Sequence, residues 1–263
     1  MERVNLLISD LDGTLLGDER ALDGFAVWYD QVKSHVRLAY CSGRFLDSIR
    51  DSIHAHNLPE PDAIIGGVGT EIHDVATGKR LLGWPRLTYS WNPHIVRETC
   101  AAHHQLRVQP EHLLSYYKVS FYGHHLEEVF LGQLVRQLAG VGQDVTVVYS
   151  SNRDLDILPA QTNKGGAAAF LARHWGFQRE EVIVAGDSGN DLEMFRQGFR
   201  GIVVGNAQPE LKSLRDPCVY HASEHFAAGV IEGLQHWLDD FWHLPAISDR
   251  SNWGRDSGRG TPG

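Results

Sequence analysis

Two carboxylates stand two residues apart in Asp10-Leu11-Asp12-Gly13-Thr14, directly after an apolar run that begins at Val4. On extended backbone, residues two apart face one side, so Asp10 and Asp12 are expected to enter one site while Leu11 packs the other way. Gly13 then lets the chain turn sharply. One carboxylate can attack a phosphoryl group, and its neighbour can carry the proton of the leaving oxygen. Two carboxylates repel a phosphate dianion unless a cation joins them, so a hard divalent ion with oxygen ligands, Mg²⁺, is expected. A calcium loop does not fit: Gly13 comes too early for its turn, and Ala21 stands at the bidentate acid position.

Three further groups suit the same chemistry. Gly186-Asp187-Ser188-Gly189-Asn190-Asp191 follows the apolar run Val182 to Ala185 and supplies more acids for a metal. Ser42-Gly43 offers a hydroxyl and a backbone N–H to an anion. Lys164 precedes a helical pattern, where a fixed cation and the positive helix end would both favour a phosphate.

The elements that must hold these groups follow a simple order. Val4 to Ile8, Val36 to Tyr40 and Ala63 to Ile65 read as buried strands, with helical spacing over Ala21 to Val32 and Phe45 to His56 between them. After an interruption the alternation resumes: a helix over Gly165 to Trp175, a strand over Glu181 to Ala185, a helix over Leu192 to Gln197, and a strand over Gly201 to Val204. A last helix runs from Ala227 to Phe241. Such alternation predicts an α/β fold with a doubly wound parallel sheet. Chemistry in these sheets collects at the carboxyl ends of the strands, where Asp10, Ser42 and Gly67 all fall. The interruption, Leu82 to Pro159, reads as a smaller α/β insertion. It has helices over Pro93 to Gln105 and His125 to Leu138, and strands over Tyr116 to Tyr122 and Val145 to Tyr149. On the Tyr116 strand, Tyr116, Lys118, Ser120 and Tyr122 share one face, and Tyr117, Val119 and Phe121 the other.

Composition bounds the classes. The chain has 263 residues, with 24 Lys and Arg against 33 Asp and Glu, a formal charge of −9. That acidic balance argues against a nucleic-acid surface, which needs a basic stripe. No apolar run reaches the ~20 residues of a membrane span, and the start lacks the order of a secretory signal, so a cytoplasmic protein is expected. Cys41, Cys100 and Cys218 are too scattered for a disulfide framework or a zinc site. The pairs His54/His56, His103/His104 and His124/His125 read as solvated surface. The Gly-, Ser- and Arg-rich tail, residues 249–263, is expected to be disordered.

Taken together, Asp10/Asp12, Ser42, Lys164 and Asp187/Asp191 resemble the four motifs of the haloacid-dehalogenase (HAD)-like phosphatases, a likeness that covers Val4 to Trp237. The resemblance implies a Rossmann-like catalytic core over residues 1–81 and 160–248, and an α/β cap over 82–159 that selects substrate. It implies Asp10 as nucleophile and Asp12 as general acid/base, with Ser42, Gly43 and Lys164 on the phosphoryl oxygens. Asp10, the Asp12 backbone carbonyl and Asp187 would ligate Mg²⁺, supported by Asn190 and Asp191. The likeness narrows on Leu6 to Asp12, Leu38 to Arg44, Val68-Gly69-Thr70-Glu71-Ile72, Tyr117 to Ser120, Ala185 to Asp191 and Asn206 to Leu211. These segments are similar to the sucrose-phosphate phosphatases. Ile64 to Thr70 and Ser150 to Pro159 resemble the related mannosylfructose-phosphate phosphatases. Sucrose phosphatases often carry Thr where Ser42 stands, which keeps the hydroxyl, and the plant enzymes carry a C-terminal domain that this chain is too short to contain.

The expected function is hydrolysis of a disaccharide monophosphate, sucrose 6-phosphate first and mannosylfructose phosphate or another sugar phosphate second. Arg44, Glu71 and Lys118 are the expected sugar contacts. The expected partner is the small-molecule substrate, with no nucleic acid and no membrane, on a monomer for which an association with the substrate-making synthase stays open. A non-enzymatic sugar-phosphate sensor on the same fold is the other reading. Loss of Asp10 or Asp12 would mark it, and both are present.

Overall fold

The computed structural model describes residues 4–85 and 91–238. The expected tail and the end of the last helix, beyond Leu238, lie outside the described residues. Strand β1 (Asn5–Ser9) is buried along its length, because both its faces are covered. Helix α1 (Glu19–Val32) starts where the Asp18 side chain accepts the Ala21 N–H, and it buries Leu22, Phe25, Tyr29 and Val32 at helical spacing. Next come β2 (Val36–Cys41), α2 (Leu46–Ala55) and β3 (Ala63–Gly66), then a hairpin of β4 (Glu71–Asp74) and β5 (Lys79–Arg80). The inserted unit contains α3 (Pro93–Ala101), β6 (Arg107–Val108), β7 (Val119–Tyr122), α4 (Glu128–Gly140), β8 (Val145–Ser150) and β9 (Asp154–Pro159). The chain then forms α5 (Lys164–His174), β10 (Val182–Gly186), α6 (Leu192–Phe195), β11 (Arg200–Val203), α7 (Pro209–Lys212), β12 (Val219–His221) and α8 (Phe226–Leu238).

The large sheet runs β12-β11-β10-β1-β2-β3-β4-β5. Strands β12 through β3 pair in parallel and the β4–β5 hairpin is antiparallel, so the expected α/β fold with a mainly parallel sheet is found. Leu7 pairs with Ile183 on one side and Leu38 on the other, so β1 and β10 are neighbours although far apart in sequence. The winding reverses between them, which opens a crevice at their carboxyl ends. Leu6, Leu7, Ile8, Ile183 and Val184 are wholly buried, each contributing roughly 1.5–3 kcal/mol of apolar burial. Helix α1 packs on α8, and α5 on α6.

A second, antiparallel sheet, β6-β7-β9-β8, belongs to the inserted unit. Val119 and Phe121 join Leu155 and Ile157 in a separate apolar core with Val96 and Leu134 of its helices. Ser120 lies opposite Asp156, which lies opposite Val148, so these residues share the other face.

Several elements differ from expectation. The Tyr116 to Tyr122 strand begins only at Val119, because Ser115 and Lys118 exchange backbone hydrogen bonds around a turn at Tyr116-Tyr117. The helix expected from His125 begins at Glu128, since His125 sits at φ 52°. Strands β5 and β6 have two residues each, too few for any periodicity to register. Among the described residues, no helix is long and apolar enough to cross a membrane.

Candidate active site

The loops after β1 and β10 meet at the crevice. The Asp10 N–H donates to the Ala185 carbonyl at 3.0 Å, which carries the sheet ladder one residue past the strand. The Leu11 carbonyl then accepts the N–H groups of Thr14, Leu15 and Leu16 at 3.3, 3.0 and 2.8 Å, closing a tight turn. Gly13, at φ 84°, is the tight point of that turn: a Cβ there would stand 2.5 Å from Asp187 Oδ2. Only a glycine lets the two acid loops approach this closely. Asn206 staples the turn from β11's side, its Nδ2 donating to the Gly13 carbonyl at 2.7 Å and its Oδ1 accepting the Phe226 N–H at 2.8 Å.

The β10 loop is held by its own acid. Asp191 Oδ2 accepts the N–H groups of Asp187 and Ser188 at 3.0 and 3.1 Å. Its Oδ1 accepts Lys164 Nζ at 2.6 Å, and the same ammonium lies 2.6 Å from Asp10 Oδ1. Lys164 is the first residue of α5, whose start is fixed by Asn163 Oδ1 accepting the Gly166 N–H at 2.7 Å. All of the Lys164 side chain is buried.

Oxygens of Asp10, Asp187 and Asp191 lie within 4.8 Å of one another. Three carboxylates against one ammonium leave two negative charges unbalanced in a buried place. Burial raises Asp10 well above the usual carboxylate range, with Asp191 and Asp187 adding to it and Lys164 opposing it. Burial and the Asp191 charge push Asp187 up to about 7, although Thr14 Oγ1 donates to its Oδ1 at 3.2 Å. Burial pulls on Lys164 in the neutral direction, but the carboxylates of Asp10 and Asp191 outweigh it and hold the ammonium charged. An all-oxygen donor set with a surplus of two negative charges fits a hard divalent cation.

The remaining expected residues are placed differently. The Asp12 carboxylate is half-exposed and lies outside the three-acid cluster. It is gripped by Arg44, whose Nε donates to Asp12 Oδ2 at 2.8 Å and whose Nη2 donates to Oδ1. Arg44 also donates to Ser52 Oγ at 2.7 Å. The Ser42 hydroxyl accepts the Arg44 N–H at 3.1 Å, and its carbonyl accepts the Val68 N–H at 3.1 Å. Asn190 lies beside Gly43 and accepts the Ser188 hydroxyl at 3.3 Å. Glu71 caps α2 by accepting the Leu46 N–H at 3.1 Å. Burial works against its charge, yet His73 and that N–H hold it below the usual carboxylate range. Lys118 closes the turn just before β7 of the inserted unit, with its Nζ 3.3 Å from Asp156 Oδ1 and 5.3 Å from the centre of the Phe45 ring of the large unit. Asp156 also accepts the Ser120 hydroxyl at 2.5 Å.

Sequence reasoning gave no role to Thr14 or Asn206. Their partners, Asp187 and Gly13, are 173 and 193 residues away, so no local pattern marks them.

The sucrose-6F-phosphate phosphohydrolase family model matches residues 3–238 of the chain. A mannosylfructose-phosphate phosphatase of Agrobacterium fabrum is 36% identical, over 90% of this chain and 98% of its own length. Sucrose-phosphatase 1 of Nicotiana tabacum is 32% identical over 88% of this chain, which spans only 59% of that longer relative. Among solved structures, the sucrose-phosphatase of Synechocystis sp. PCC6803, in complex with sucrose and phosphate, superposes with a TM-score of 0.84. It is 32% identical, over 89% of this chain and 98% of that one. A HAD subclass IIB sugar phosphatase, at 14% identity and a TM-score of 0.64, over 90% of this chain and 99% of its own, shares the fold.

Proposed function

Because the chain belongs to the sucrose-6F-phosphate phosphohydrolase family, a family of phosphoric monoester hydrolases on the HAD fold, we propose that it hydrolyses a disaccharide monophosphate with Mg²⁺. Sucrose 6-phosphate is the first substrate. Mannosylfructose phosphate is the second, favoured by the relative that is 36% identical over nearly its whole length.

The observation that carries this reading is the Lys164 ammonium, 2.6 Å from both Asp10 and Asp191, beside the Asp187 carboxylate. Lys164 fixes one oxygen of Asp10, and the other would attack phosphorus. The P–O bond to the sugar breaks as the Asp10–phosphorus bond forms, and the sugar oxygen takes a proton from Asp12. A water molecule, deprotonated by Asp12, then attacks the same phosphorus and releases Asp10 and inorganic phosphate. Asp12 reaches these positions by leaving Arg44, and a half-exposed pair of that kind is cheap to break. Asp10 and Asp187 would hold Mg²⁺, with Asp191 positioning the Asp187 loop. When bound, the ion supplies positive charge for the phosphoryl oxygens and for the carboxylates that face them. Ser42 and Gly43 would receive the phosphoryl oxygens from the β2 side.

The sugar would lie between this crevice and the polar face of the inserted sheet, where Lys118, Ser120 and Asp156 are already aligned by mutual hydrogen bonds and charge. A site built on buried polar groups rejects substrates that lack the matching hydroxyls. The test is phosphate release with Mg²⁺ from sucrose 6-phosphate, mannosylfructose phosphate, fructose 6-phosphate and phosphoglycolate. Preference for one of the disaccharide phosphates supports the reading. Preference for phosphoglycolate overturns the substrate class, and no release from any of them overturns the activity.

A further inference from the structure

Val68 occupies a backbone state that its own side chain opposes. It sits at φ 59° between Gly67 at 58° and Gly69 at 91°, three successive residues in the left-handed region. Glycine adopts that region freely, whereas a β-branched residue rarely does. The conformation is held by hydrogen bonds on every side. Gly67 N–H donates to the Arg44 carbonyl at 2.8 Å, Val68 N–H to the Ser42 carbonyl at 3.1 Å, and Thr70 N–H to the Gly66 carbonyl at 3.0 Å.

What the valine gains is a contact across the crevice. Its side chain is 1% exposed and forms a small apolar cluster with Val148 and Leu158, apart from the two main cores. Both partners lie on the inserted sheet, on β8 and β9. On its other side Val68 lies over the phosphate-facing turn: a Cβ on Gly43 would stand 3.8 Å from Val68 Cγ2. The side chain therefore loses its apolar partners whenever the inserted unit lifts, and its amide is bonded to Ser42. Other contacts across the crevice are Lys118 with Phe45 and the Tyr149 carbonyl over Gly189.

We propose that Val68 is the latch of the cap, a positioning residue whose side chain holds β8 and β9 down over the site and whose amide ties that closure to Ser42. The inference rests on the phosphatase reading above for its kinetic consequence, and on geometry alone for its structural one. Closure is a two-state equilibrium, and a ligand that needs the closed state binds more weakly in proportion to the closed fraction lost.

The test uses Val68→Gly, which keeps the turn and removes only the latch, and Val148→Ala, which removes the facing partner from the cap. Cap position is read by distance measurements between a label on the exposed Cys218 and one on Gln133→Cys of α4, Cys41 and Cys100 being buried. Both variants are expected to shift the distance distribution and to raise KM for the disaccharide phosphate about tenfold, with a smaller change in kcat. The double variant is expected to lose no more than Val68→Gly alone. Unchanged distances in both variants, or a shift in one of them alone, overturns the latch. If the wild-type chain releases no phosphate, the functional reading fails while the distances still decide the latch.

Discussion

Lys164 Nζ stands 2.6 Å from Asp10 Oδ1, so a cation from the start of α5 is spent inside the protein on an acid 154 residues earlier in the chain. The same ammonium reaches Asp191, and these two bonds join the loops after β1 and β10 to α5. Lys164→Met therefore leaves three buried carboxylates with no opposing charge. Removing one partner of a buried ionic group is expected to cost about 3–5 kcal/mol. Without the cation the acids must take up protons on folding, so the loss is expected to be larger at neutral than at mildly acidic pH. Urea midpoints of the Mg²⁺-free variant, measured at both, check this, and wild-type midpoints at neutral pH would contradict it.

Asp10→Asn has the opposite effect on stability. It removes one of the three crowded acids and keeps a group that can accept from Lys164. Its Mg²⁺-free Tm is expected to equal or exceed that of the wild type. Turnover is expected to fall about 10³-fold or more, since an amide does not attack phosphorus. Substantial turnover in a variant of verified mass would remove the nucleophile assignment.

The parallel sheet was legible, though not the order of its strands, because Leu6 to Ile8 and Val182 to Ala185 are apolar on every position, as strands covered on both faces are. Asp10, Lys164, Asp187 and Asp191 were legible as a group because each sits at a strand end or a helix start. What escaped reading depends on distant partners. Arg44 stood out as a sugar contact, but its fork meets Asp12, and nothing between residues 12 and 44 announces the pair. Glu71 lies in a segment similar to the sucrose-phosphate phosphatases, yet its oxygens are engaged by Leu46 and His73. Strand β9 carries Asp154 and Asp156 beside its apolar residues, a pattern that reads as half-exposed until the polar face of the inserted sheet is seen to be covered. Val68 lies in the same segment as Glu71, but its backbone state was not legible, since a left-handed valine has no signature in sequence.

The raised Asp187 has a consequence for stability against pH. Its folded-state value of about 7 lies above the ordinary 3.8. Between these, the folded protein holds a proton that the unfolded chain has released, so this group's contribution to stability falls as pH rises through that window. A divalent cation replaces that proton. Added Mg²⁺ is therefore expected to raise Tm more at about pH 8 than at about pH 5, by several degrees. Scanning calorimetry with and without Mg²⁺ across the range checks this, and an equal Mg²⁺ shift throughout would contradict it.

Asp12 is the one acid of the pair whose carboxylate stays near solvent, held by Arg44 rather than by the buried cluster. A proton carrier needs that freedom, because it must give a proton to the sugar oxygen and then take one from water. How much it matters depends on the leaving group. A sugar alkoxide is a poor one and needs the proton as the P–O bond breaks, whereas 4-nitrophenolate leaves without help. Asp12→Ala is thus expected to slow phosphorylation of Asp10 by the disaccharide phosphate about 10²- to 10⁴-fold, and by 4-nitrophenyl phosphate far less. Hydrolysis of the phosphoenzyme is the same step for both substrates and is expected to slow equally. Rapid-quench measurement of the two phases separates these effects. Equal losses in phosphorylation for the two leaving groups would show that Asp12 acts by shaping the loop and not by moving a proton.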